Sequence, residues 1–158
     1  MLIKYLKREE MIMKNKGFSL VELIIVIAIM AILAAAIAPA LIRYIDKSRR
    51  ADDVTAAGTV ESSVSAALAN EDAYDEAVKD STVQVASVSK DGGSYTGTAF
   101  KEEMESSLPK GADIKYKKKS AKYYNVWTAG DGQIFVYIGT SNTSSDWMIR
   151  PSICKAYK

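Results

Sequence analysis

KGFSLVELIIVIAIMAILAAAIAPALIRY, residues Lys16 to Tyr44, places one carboxylate, Glu22, at the head of a run that stays uncharged as far as Ile42. A helix that crosses a membrane needs about 20 consecutive apolar residues, and Leu23 to Ile42 meets that length without a charged side chain. An ionisable group at the centre of such a span costs roughly 2.5 to 3.5 kcal/mol, less near an end, so a retained one needs a partner. No Lys or Arg lies within the run. The nearest are Lys16 and Arg43, and Lys16 sits in the flanking segment that stays in water. The cation for Glu22 must be made or borrowed.

Working outward, residues 1–17, MLIKYLKREEMIMKNKG, are short and charged, with Lys14 and Lys16 directly before the apolar run. By the positive-inside rule this end stays in the cytoplasm and the rest faces outward. Met1, Met11 and Met13 each offer a start. Beyond Ile42 the composition switches to RYIDKSRRADDVTAAGTVESSVSAALAN. Here Tyr44, Ile45, Val54, Ala57, Val60, Val64 and Leu68 recur at three-to-four-residue spacing, with Asp46, Arg49, Arg50, Asp53 and Glu61 between them, which predicts an amphipathic helix continuing the span. Pro39 withholds a backbone hydrogen bond from the carbonyl of Ala35, so a kink or loosening is expected there. Gly58 is a weaker soft point, and Asn70 marks the expected helix end.

The remainder, 71–158, reads as a head domain. Glu71 to Thr98 is polar and lacks a sustained period, which predicts a surface loop holding one short strand, VQVASVS. Thr98 to Leu108 predicts a short helix stopped by Pro109. ADIKYKKK, AKYYNVWTA and QIFVYIGT predict antiparallel strands, the last two joined by a turn at Gly130-Asp131-Gly132, with an edge segment from Trp147 to Tyr157. Trp127, Phe135 and Tyr137 alternate as a buried face requires. One long helix packed on a small antiparallel sheet makes the expected class α+β.

Composition limits the chemistry. The chain has 158 residues, a net charge of +2, one cysteine and no histidine. This suits one modest domain plus an anchor, excludes an intramolecular disulfide, and removes Ser-His and Cys-His catalysis and most zinc sites. Glu102, Glu103 and Glu105 form a solvated helix pattern without a partner. An enzyme is not expected, and neither a cofactor nor a metal is called for.

The stretch KGFSLVELIIVIAIMAILAAAIAP resembles the amino-terminal segment of the type IV pilin superfamily. It shares a short basic leader ending in glycine, an aromatic residue opening the mature chain, a glutamate as its fifth residue and a long apolar helix. The resemblance covers about a fifth of the chain, Lys14 to Arg43, and downstream it is one of outline only. It implies that a prepilin peptidase cuts after Gly17 and N-methylates Phe18, dividing the chain into a leader (1–17), a transmembrane and assembly half of the helix (18–42), an amphipathic half (43–70) and a head (71–158). It also implies a homo-oligomeric filament built by an assembly ATPase and a platform protein. The chain would span the cytoplasmic membrane once before assembly and lie in an extracellular pilus or a pseudopilus afterwards.

Cleavage makes the missing cation. An α-amino group has a pKa of roughly 8, and methylation leaves it protonatable, so an ammonium can pair with Glu22. Four residues put Glu22 one helical turn from Phe18; in family filaments the partner is thought to be a neighbouring subunit's amino terminus. A pair satisfied only by the correct neighbour penalises wrong registers. The alanines from Ala28 to Ala40 allow close backbone approach between copies, and Pro39 makes local loss of helicity available on assembly.

Other readings compete. The span could be an ordinary anchor for a monomeric surface-binding module, or a secretory signal with Ala36-Ile37-Ala38 as its cleavage site, against which Pro39 stands. A pseudopilin of a secretion or DNA-uptake apparatus shares the pilin mechanism. Lys115, Lys117, Lys118, Lys119 and Lys122, interleaved with Tyr116, Tyr123 and Tyr124, could touch nucleic acid, although lysines on an exposed strand more often protect an edge. Asp131, Asn142 and Asp146 could bind calcium as some pseudopilins do, but their spacing matches no calcium loop. Cys154 is expected to be buried or inert. Its solitude departs from pilins that close a carboxy-terminal loop with two cysteines, which leaves the anchoring of the tail open.

Overall fold

The computed structural model describes residues 17–116 and 120–157. They form a long helix α1 (Leu20–Ala67), a short helix α2 (Glu71–Ala77), strands β1 (Val83–Ser89) and β2 (Gly92–Tyr95), helix α3 (Ala99–Ser107), and strands β3 (Tyr123–Thr128), β4 (Ile134–Gly139) and β5 (Trp147–Arg150). A 3-10 turn, Lys155–Tyr157, closes the tail. The five strands make one antiparallel sheet in the order β2-β1-β3-β4-β5. The class is α+β, pilin-like in architecture.

Two compact units divide the chain between Leu41 and Ile42. The first is the amino-terminal part of α1. Its Leu, Ile, Val, Met and Ala residues favour a helix or are carried into one by continuity, and α1 runs on through Pro39. Its apolar side chains are all exposed, from Leu20 to Leu41.

In the second unit the rest of α1 covers one face of the sheet. Ala57, Val60, Val64 and Ala67 are buried on the helix, and Val88, Tyr124, Val126, Val136, Ile138 and Ile149 are buried on the strands. Phe100 and Met104 bring α3 into the same core. The expected stripe holds at Ala57, Val60 and Val64, but Tyr44 remains exposed. Asp53, expected on the polar face, is fully buried. Glu61 pairs with Arg150 at 2.5 Å, tying α1 to β5.

Several local expectations differ from the structure. Helix α1 stops at Ala67, and Asn70 instead caps α2, its side chain accepting from the amides of Asp72 and Ala73. The expected loop from Glu71 to Thr98 contains α2, β1 and β2. The helix expected from Thr98 to Leu108 is α3. Its cap residue Thr98 makes no side-chain bond; Glu76 on α2 accepts from the amides of Thr98 and Phe100 at 3.1 and 2.9 Å. Those bonds hold the Glu76 carboxyl below its ordinary range.

Residues 112–116 of the expected strand ADIKYKKK are not a strand, and Lys117, Lys118 and Lys119 lie outside the described residues. Gly111, at a φ of +64°, turns the chain into this segment so tightly that a Cβ would sit 2.0 Å from the carbonyl oxygen of Ser89. The buried face of β3 and β4 also has the opposite parity from that expected. Tyr124, Val126 and Thr128 face the core, with Val136 and Ile138 beside them. Trp127 pairs with Phe135 on the outer face, where both, and Tyr137, are half-buried. Tyr124 is held on the core face by its hydroxyl, which donates to the Asp53 carbonyl on α1, whereas Trp127 and Phe135 find each other across strands on the outer face.

Candidate processing and assembly site

The site is built on the amino-terminal end of α1. Gly17, Phe18 and Ser19 precede the helix and are exposed, Phe18 at 85%. A Cβ added at Gly17 would meet nothing within 4 Å among the described residues. The fold therefore makes no demand for glycine at this position.

Ser19 and Glu22 close a capping box. The Ser19 hydroxyl accepts from the amide of Val21 at 3.3 Å, and Oε2 of Glu22 accepts from the amide of Ser19 at 2.9 Å. Two amides that the helix leaves unpartnered are thereby satisfied reciprocally. The negative side chain also lies in the first turn, where the positive end of the helix dipole favours it. Its signal in the sequence is the S-x-x-E spacing of Ser19 and Glu22, which the long apolar run beside it obscures. A carboxylate accepts on both oxygens, so the bond to Ser19 leaves Glu22 able to meet an ammonium as well.

Below the site, Ile24, Ile25, Ile27, Ile29, Leu33 and Ile37 are each at least half exposed. This is the opposite of the second unit, where α1 buries Ala57, Val60 and Val64. A single helix thus has one stretch that serves as core and another that no described residue buries.

The other sequence candidates are not brought to this site. Lys115 lies in the segment crossing α1, its Nζ 3.3 Å from Asp52, while Lys122 is exposed beside β3. Lys117 and Lys119 fall outside the described residues. Of the interleaved tyrosines, Tyr116 and Tyr124 are buried in the core and Tyr123 is half-buried, so Tyr116 and Tyr124 offer no face for base stacking. Asp131 lies in the turn before β4, where it accepts from Gln133. Asn142 and Asp146 follow β4, and Asp146 accepts from the amide and hydroxyl of Thr140. Strand β4 separates Asp131 from Asn142 and Asp146, and no metal-holding group of carboxylates or cysteines occurs among the described residues. Cys154 is a half-buried free thiol.

A residue the sequence did not single out holds the head together. Asp53 accepts from the amides of Lys115 at 2.7 Å and Tyr116 at 3.1 Å, and the Tyr124 hydroxyl donates to its backbone carbonyl at 3.3 Å. Burial pushes the Asp53 carboxyl up, against the pull of the two amides. Its signal was spacing, since Asp53 stands on the line of Ala57, Val60 and Val64.

Residues 12–38 match the family described as the prokaryotic N-terminal methylation motif. The match joins the basic flank, Gly17, Phe18, the capping box and the bare apolar helix into one prepilin-type segment of the kind carried by type IV pilins and pseudopilins. This motif supports a type IV pilin-like or pseudopilin class of protein, and the amino-terminal helix fits a membrane-anchored prepilin. No solved structure matches the chain.

Proposed function

We propose that the chain is the structural subunit of a type IV pilus-like filament, cut by prepilin peptidase after Gly17, N-methylated at Phe18 and polymerised through the first half of α1. The observation that carries this reading is the apolar surface from Leu20 to Leu41, which the described residues leave exposed. Lipid covers it before assembly, and other copies of the same helix cover it afterwards. Small residues such as Ala31, Ala35 and Ala38 then allow close approach while the isoleucines supply dispersion contacts.

The exposed scissile segment supports the processing step. Among the described residues nothing crowds Gly17, so its requirement would come from the peptidase's own pocket, which a side chain would obstruct. Gly17→Val is expected to accumulate as uncut precursor, seen as an unchanged intact mass; normal maturation of that variant would exclude the prepilin reading. The new amino terminus lies one turn from Glu22 and supplies the cation. Before assembly that pair can close within one chain; in a filament Glu22 instead meets the amino terminus of a neighbouring subunit, and only a correctly registered neighbour makes that exchange.

The test is amino-terminal sequencing and intact mass of protein recovered from sheared cell surfaces and from membranes. N-methylphenylalanine at position 18 in the sheared fraction is the expected result. The same terminus confined to membranes would favour a pseudopilin, and a chain retaining its leader or beginning at Pro39 would return it to an anchor or a secreted module.

A further inference from the structure

Leu23 to Ile42 amounts to about 30 Å of helix, the thickness of the hydrocarbon core of a bilayer. Under the membrane reading, the next residue, Arg43, stands where the hydrocarbon ends on the outward side. From there the sequence RYIDKSRR sets four cations, Arg43, Lys47, Arg49 and Arg50, against one carboxylate, Asp46. Cations on the outward flank run against the positive-inside bias. Their concentration within about two turns of α1 asks for a partner.

The carboxylates that follow are engaged elsewhere. Asp52 lies 3.3 Å from the Nζ of Lys115, and the buried Asp53 accepts from the amides of Lys115 and Tyr116. Arg50 turns toward the head, its guanidinium 5.5 Å from the centre of the Tyr116 ring. Arg43, Lys47 and Arg49 are exposed, and neither Lys47 nor Arg49 forms an ion pair among the described residues.

Their placement selects the partner. Arg43 and Lys47 share one face of the helix, while Arg49 points about 200° around the axis from Lys47. A docking protein meets one face, whereas a lipid surface surrounds the helix and meets charges on every side. Lys47 and Arg49 stand about 6 and 9 Å beyond Arg43 along the axis. Their long side chains reach back into a headgroup layer that is about 5 to 8 Å thick on each side of the hydrocarbon. Tyr44, 71% exposed, sets an amphipathic ring at the same level, where tyrosines anchor membrane helices. We propose that Arg43, Lys47 and Arg49 form a cationic collar that binds the phosphate groups of anionic phospholipids in the outward leaflet and holds the subunit there until it is drawn into a filament. Phosphate oxygens accept charge-assisted hydrogen bonds from both residue types. The proposal rests on the membrane reading of α1 and is independent of cleavage after Gly17.

Electron spin resonance on the full chain in phosphatidylcholine bilayers tests it, with spin-labelled phosphatidylglycerol or phosphatidylcholine as the probe. The readout is the fraction of probe that the protein immobilises. Phosphatidylglycerol is expected to associate at least about twofold more strongly than phosphatidylcholine, and to lose most of that preference in about 1 M salt. Lys47→Gln combined with Arg49→Gln should cut the preference by about half or more, with thermal unfolding of the head unchanged. Lys90→Gln combined with Lys110→Gln, at exposed lysines of the head, should not alter it. Lys14 and Lys16 are present in every chain, so the difference between the two variants isolates the collar. An unchanged preference in the first variant, or an equal loss in the second, would overturn the proposal. A filament defect in the first variant at unaltered lipid preference would overturn it in favour of an acidic face on a neighbouring copy. A chain that does not float with the vesicles would bring down the membrane reading and the collar together.

Discussion

At the scale of single residues, two carboxylates divide the work. Glu22 caps its own helix through Ser19, and under the filament reading it also meets an ammonium. Substitution separates the two roles. Glu22→Ala loses both and is expected to be processed yet assemble poorly. Glu22→Gln still accepts the Ser19 amide but has no charge, so it should keep the helix start and assemble as poorly as the alanine variant, measured as filament yield after shearing. Normal filaments from the glutamine variant would reduce Glu22 to a cap. Asp53 is the counterpart in the head, accepting two amides where α1 meets the segment after α3. Because burial raises its pKa above the ordinary 3.8, the folded chain holds this proton more tightly than the unfolded chain. Its stabilising effect is therefore full below about 3.8 and declines as pH rises through the raised value. Asp53→Asn should abolish that part of the pH dependence and also leave one buried amide facing an amide, at a cost of about 1 to 3 kcal/mol in denaturant unfolding at neutral pH.

At the scale of elements, helix α3 depends on a cap supplied from another helix. Glu76 serves Thr98 and Phe100, and its pKa is lowered below the usual 4.5 by those amides. The sign is opposite to that of Asp53: the contribution is present above about 4.5 and is lost as pH falls through the lowered value. Protection of the first amides of α3 against hydrogen exchange should drop selectively in that acid window, and Glu76→Ala should show the same loss at neutral pH; unchanged protection in that variant would disprove the cap. The strands β3 and β4 were legible because Gly130-Asp131-Gly132 punctuates two apolar runs, and α3 because Pro109 follows it. Helix α2 was not legible, since its seven residues bury only Ala73 and Ala77 and its start depends on the Asn70 side chain. Strand β2, GGSY, has no apolar alternation at all and exists by pairing with β1. The parity of β3 and β4 was misread because both faces carry large side chains, and ring size was taken for burial. At the processing site the glycine, the aromatic residue, the glutamate and the span length were all visible, whereas the capping box was visible in spacing and passed over.

At the scale of the whole molecule, α1 serves two units that obey different rules. In the second unit it is one layer of an ordinary core, and truncating a side chain there leaves a cavity. Phe100→Ala, at a position with no exposure, should destabilise the head by about 3 to 5 kcal/mol. In the first unit a truncation leaves no internal cavity, since Ile29 is 52% exposed. Ile29→Ala should leave thermal unfolding of the head unchanged in detergent while reducing filament yield. A fall in head stability with Ile29→Ala, matching that of Phe100→Ala, would contradict the separation of the two units.

The carboxy-terminal tail is held without a covalent staple. Arg150 reaches Glu61 on α1, Cys154 donates its amide to Met148, and Tyr157 is buried edge-on to Tyr116 at 5.7 Å and beside Trp147. The lone cysteine has no partner in this sequence, so folding of the head requires no thiol oxidation. Under the filament reading, a tail clasped by rings and an ion pair has no covalent bond to re-form after a subunit is pulled, so its contacts can be remade in surroundings where a disulfide would never form.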